Sequence, residues 1–204
     1  MITSEKLEKN YRTWIGLLKK YSCYSDELIE KYGELIKNAS YSTTTESGLC
    51  YQGSLLDVSI NKLTKFGLEI LSMNLPEEFL LSKVNKDSLI RVFLLQHISK
   101  SILFVKNTDE WKRKHGYEYM FSQDLITSMK VGERSLFMCM ECGIKLDETE
   151  YEAIRIIDKD ENDDKSSYYS SLLSNIVKIT NSMVNYCSRE YNKQLNILKN
   201  KIEE

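Results

Sequence analysis

Leu89-Ile-Arg-Val-Phe-Leu-Leu95 is apolar on nearly every side of a helix and runs directly into Gln96-His97-Ile98-Ser99-Lys100. A helix without a broad polar stripe has nowhere to face but the interior, so this segment is expected at the centre of the fold. Asn85 or Asp87 is placed to cap its start. The rest of the chain agrees with a helical reading. One proline (Pro76) and eight glycines in 204 residues leave few breakers among many helix formers. The expected class is all-α.

Working outward, Leu7, Tyr11, Trp14, Leu17 and Leu18 recur at three- and four-residue steps and predict an amphipathic helix over 4–20. Ser25 or Asp26 starts a second, carrying Leu28, Ile29, Tyr32, Leu35 and Ile36, and the two are expected to pair as a hairpin. Residues 38–53, rich in Ser, Thr and Gly, read as a loop wrapping the surface. A third helix is expected over 54–73, with Leu55, Val58, Leu63, Phe66 and Ile70 inward. Between 101 and 130 the pattern loosens, and alternation through Tyr117, Tyr119 and Phe121 predicts a small β-hairpin.

Gly132 to Glu141 reads as a helix closed by Gly143 at C′. Asp147-Glu-Thr-Glu150 has the form of a capping box opening a helix that contains Tyr151, Ile154, Ile156 and Ile157. From Tyr168 to the end a helical period persists, its last part (192–204) polar enough to project or to meet a partner. Residues 158–165 hold five acids in eight but lack the sixth-position glycine and twelfth-position Glu of an EF-hand, so a solvated loop is expected.

With 28 Lys and Arg against 30 Asp and Glu, net charge -2, the balance does not support nucleic-acid binding. No stretch approaches the roughly 18 apolar residues of a spanning helix, and the start lacks an apolar h-region, so neither membrane insertion nor signal-directed secretion is expected. Five scattered cysteines suit a reducing compartment. Cys139-Met-Glu-Cys142 stands without a second pair or a nearby histidine, which favours core packing over zinc.

Three segments, in order, resemble HD-domain phosphohydrolases, and most closely phage-encoded ones of similar length. Gly53-Ser-Leu-Leu-Asp-Val58 is similar to the family's Gly-Gly-X-X-X-His. Leu89 to Lys100 is similar to its helix ending Leu-Leu-His-Asp-Leu-X-Lys. Arg134-Ser-Leu-Phe, Gly143-Ile-Lys-Leu and Glu150 to Asp158 resemble a stretch ending Ala-Ile-Arg-Ile-His-Asp, and Asp109-Glu-Trp111 to Gly116-Tyr-Glu-Tyr119 resembles an insert in the same group. The resemblance implies one HD-like helical bundle over 1–204, comprising an N-terminal hairpin (1–38), a core (54–187) and a C-terminal helical extension (188–204). The loosened pattern places a small β-hairpin insert around 101–130 in that bundle.

At the family's metal-ligand positions this chain carries Val58, the pair Gln96 and His97, Ile157 and Asn181. A Gln amide is a weak neutral donor, and Val and Ile fill the space with branched apolar volume. The expected outcome is a closed pocket with no metal, no cofactor and no catalytic residue, on a scaffold kept for structural or protein contacts or for self-assembly. By the same resemblance, a virion or virion-assembly component is expected, located in the particle or the host cytoplasm. His97 is one residue, about 100° of helix, from the old ligand direction, and is expected to be hydrogen-bonded structure.

An alternative is a metal-dependent phosphohydrolase built from Asp57, His97, Asp158 and Glu133, which requires these groups to converge. A third reading is a polar, metal-free ligand pocket lined by Gln96, Asn181 and the basic turn Lys112-Arg113-Lys114-His115. Lys100 with that turn is a candidate anion site, but a solvated basic turn is the simpler expectation.

Overall fold

A computed structural model describes residues 2–73, 83–125, 128–158 and 170–203, the last five of these for backbone only. Helix α1 (Ser4–Lys20) is capped by the Thr3 hydroxyl, which accepts from Lys6 N–H at 3.3 Å. The Ser25 hydroxyl likewise accepts from Leu28 N–H at the start of α2 (Asp26–Asn38). Trp14 and Leu18 of α1 and Leu28 and Ile36 of α2 are fully buried in the same apolar cluster as the central helix. The N-terminal hairpin is therefore part of the main core. Each such side chain contributes about 1.5–3 kcal/mol on burial.

Helix α5 (Lys86–Leu95), capped by Asn85, occupies the predicted centre. Leu89, Ile90, Val92, Phe93, Leu94 and Leu95 are all buried, and the Trp14 indole N–H donates to the Leu94 carbonyl at 3.2 Å. That bond satisfies a carbonyl in the last turn of α5, which has no intrahelical donor of its own.

The single helix expected over 54–73 is three segments: α3 (Ser54–Val58), a π-helical stretch (Ser59–Thr64) and α4 (Lys65–Ser72). The Thr64 hydroxyl donates to the Ser59 carbonyl at 2.7 Å, a local competitor for the backbone that periodicity does not reveal. Gly53 opens α3 with φ +75°, and a Cβ there would lie 2.9 Å from Leu7 Cδ1. Glycine is required on both counts.

After α6 (Lys100–Leu103), the two-stranded sheet pairs β1 (Phe104–Lys106) with β2 (Tyr119–Phe121), antiparallel, with Phe104 opposite Phe121. The chain is all-α with this small hairpin, as expected. The short helix α7 (Glu110–Lys114) between the strands was not foreseen; Asp109 caps it. Helix α8 (Val131–Glu141) ends as anticipated, with Gly143 at φ +68° donating to the Met140 carbonyl.

Asp147 and Glu150 form the predicted capping box of α9 (Glu148–Arg155), but this helix stops short of Ile156 and Ile157. Its exit turn is fixed by Asp158, whose carboxylate accepts the Gly132 N–H at 2.7 Å. Helix α10 (Leu172–Glu203) is the long C-terminal helix. Of the acidic run, 159–165 lies outside the described residues, as does the expected helix start at 168. No helix among the described residues is long and apolar enough to cross a membrane.

Candidate functional site

Gln96 caps the C-terminus of α5 and is completely buried. Its side-chain oxygen accepts from Asn181 Nδ2 of α10 at 3.0 Å, and its own amide faces Asn181 Oδ1 at 3.4 Å. Asn181 also donates to the Val177 carbonyl one turn back at 2.9 Å. Two positions that the sequence marked separately thus meet as a reciprocal amide pair bridging the two helices. Val58 is fully buried in the apolar cluster, and Ile157 packs partly buried against it. In the amide pair each side-chain oxygen accepts from the other residue, and both donors of Asn181 Nδ2 are used inside the core.

The hydrogen-bonded role expected of His97 is not seen at Nδ1. Its ring packs edge-on against Tyr41 with centroids 5.0 Å apart, and Nδ1 has no hydrogen-bond partner among the described residues. Burial, with a smaller contribution from the Lys100 charge, holds its pKa well below the ordinary imidazole value. The side chain is a neutral, aromatic packing element.

The carboxylates of the alternative site are each engaged elsewhere. Asp57 is buried and accepts from Tyr51 at 2.7 Å, Asn61 at 3.0 Å and Asn10 at 3.3 Å, with the Lys6 ammonium at 3.5 Å. Burial alone would raise its pKa, but these bonds and Lys6 bring it below the usual carboxylate value. Glu133 accepts the Lys130 N–H at 3.1 Å in the capping box of α8, and Asp158 binds Gly132 beside it. Among the described residues no three His, Cys, Asp or Glu side chains gather to hold a metal ion.

Cys139 and Cys142 are buried core, and burial raises both thiols. Thiols held protonated are poor nucleophiles and poor metal ligands. In the basic turn, Lys112, Lys114 and His115 are exposed; Lys114 pairs with Glu110 at 3.1 Å and His115 stacks on Trp111 at 3.9 Å.

Lys100 leaves that turn and faces inward. Its Nζ donates to the Tyr41 carbonyl at 3.0 Å and stands 3.5 Å from the centroid of the Tyr41 ring. Burial, opposed by the nearby Asp158 charge, lowers its pKa to about 7. This residue lines a polar cavity of about 590 Å³ between the 41–49 loop, the α6–β1 junction and α10. Neither Gln96 nor Asn181 lines it, nor does the basic turn, so the cavity differs from the one the sequence suggested. Its α10 wall is Ser182, Asn185, Tyr186 and Arg189, the next turns beyond Asn181.

The loop wall is held from both sides. Tyr119 N–H donates to the Thr43 carbonyl at 3.2 Å and Thr45 N–H to the Gly116 carbonyl at 2.8 Å, tying the loop to the hairpin. Asn192 Nδ2 donates to the Thr45 carbonyl at 3.0 Å, tying it to α10. Gly48, at φ +68°, permits this approach, because a Cβ there would lie 2.8 Å from the Ser188 carbonyl oxygen. The one local hint in the sequence was the Ser- and Thr-rich loop itself; its apposition to Arg189 is a consequence of α10 packing.

No family description, no curated protein and no solved structure matches this chain, so its reading rests on the geometry above.

Proposed function

We propose that this chain is a non-catalytic, HD-like helical module that works through protein contacts, and that it serves as a virion or virion-assembly component of a phage. The Gln96–Asn181 pair carries the reading, because these positions hold weak neutral amides that bond to one another in a buried setting, where a metal centre needs carboxylate or imidazole donors aimed at the ion. The exposed apolar residues of α10 support contact with other proteins: Tyr186, Tyr191, Ile197 and Leu198 are each more than half exposed. The phage assignment rests on the resemblance of the three sequence segments.

Metal analysis of purified protein together with a phosphatase screen across divalent ions tests the first part. The expected result is neither stoichiometric metal nor turnover; bound metal with turnover overturns it. Mass spectrometry of purified particles tests the second part, with the protein expected among the structural components. Its absence from both particles and assembly intermediates removes the virion role.

A further inference from the structure

We propose that the cavity formed by the 41–49 loop, Lys100 and α10 is a binding site for a small oxyanion-bearing molecule, its phosphate or carboxylate group held between Lys100 and Arg189. This goes beyond the protein-contact role and does not depend on it. The lining supplies two cationic side chains, Lys100 and Arg189, and among the described residues that line it there is no carboxylate. Such an imbalance is unusual in a chain with more acidic than basic residues. Lys100 is partly withdrawn from solvent, which strengthens its attraction for an anion, while Arg189 stands exposed on the opposite wall.

The Lys100 ammonium has three donors. One reaches the Tyr41 carbonyl and the charge lies over the Tyr41 ring, while no carboxylate of the described residues pairs with it. Burial outweighs the Asp158 charge in lowering its pKa, and a bound oxyanion would add negative charge beside it. Arg189 pairs only loosely with its neighbour Glu190, at 3.8 Å. Ser182 and Tyr186 add neutral donors on the same wall, and Phe104 offers an apolar surface to the remainder of the molecule. A volume of about 590 Å³ falls within the range of small-molecule sites. The site is held open by the loop's ties to the hairpin and to α10, so little ordering is required on binding.

Calorimetric titration of the full chain at low ionic strength with pyrophosphate, inorganic phosphate and citrate tests the assignment. Saturable one-to-one binding of pyrophosphate or citrate is expected. Loss of one charge-assisted contact should weaken it about tenfold or more in Lys100→Met and in Arg189→Gln, with Lys112→Gln in the exposed basic turn unchanged. Tighter pyrophosphate identifies phosphate as the group recognised, and tighter citrate identifies carboxylate. Absence of binding at millimolar concentration overturns the proposal, as does binding that survives both cavity variants or falls equally in Lys112→Gln. Thermal melts accompany each variant; should Lys100→Met fail to fold, the exposed Arg189→Gln decides alone. The metal and turnover measurements above are unaffected by either result, so the two readings fail separately.

Discussion

Two polar regions lie side by side along α10, and they have opposite fates. At Asn181 the helix meets Gln96 and the two amides close on each other in a buried setting. Over the next two turns, at Ser182, Asn185 and Arg189, the same helix lines an open cavity together with Lys100 and Tyr41. The difference lies in balance rather than polarity. Paired neutral amides satisfy one another and can be sealed from water, whereas two cations cannot neutralise each other. The two regions thus differ in what meets there: Gln96 and Asn181 are bonded to each other, whereas Lys100 and Arg189 carry like charge.

The sharpest way to break this comparison is to put an unmatched charge into the sealed region. Val58→Asp should cost about 3–5 kcal/mol, the scale of an uncompensated buried charge, read as a shifted midpoint in urea unfolding. A near-neutral outcome would mean that water reaches Val58 and that the region is not closed.

A smaller effect is expected from the amide pair. Gln96→Leu should destabilise by about 1–3 kcal/mol, because Asn181 keeps a buried amide short of its partner. Adding Asn181→Leu should recover part of that loss, giving a coupling energy of about 0.5–3 kcal/mol in a double-mutant cycle. Strict additivity would show that the pair is incidental.

The gentlest test concerns Lys100 and pH. Its pKa in the folded protein, about 7, is below the ordinary lysine value, so between the two the unfolded chain binds more protons than the folded one. Stability contributed by this group should therefore rise as pH increases above 7, by at most about 1.4 kcal/mol per unit, and fall as pH drops towards 7. The charged or titratable neighbours are Asp158, which opposes the shift, His97, which is neutral, Tyr41, and Arg189 across the cavity. Lys100→Met should flatten the slope relative to the parent in parallel urea titrations at pH 7 to 9; identical slopes would place the ammonium in water.

Much of the architecture was legible from local pattern. The bounds of α1, the Ser25 cap of α2, the centrality of α5 and the Asp147–Glu150 capping box all follow from spacing and side-chain chemistry within a few residues. The features that escaped were those set by distant partners. The π stretch at Ser59–Thr64 depends on a hydroxyl returning to the backbone, and the end of α9 depends on Asp158 reaching Gly132. Neither alters the hydrophobic period from which a helix is read.

The sequence by itself determined an all-α chain with a small hairpin, a buried central helix and, at the positions singled out for metal chemistry, Val58, Ile157, Gln96 and Asn181 beside a displaced His97. Only the tertiary structure decided that Gln96 would spend its amide on Asn181, 85 residues away, that His97 would pack on Tyr41 as a neutral ring, and that Lys100 would face Arg189 across open space. Local propensity depends on neighbours a turn away, but hydrogen-bond satisfaction and charge balance depend on which surfaces meet, and that is settled only when the helices pack.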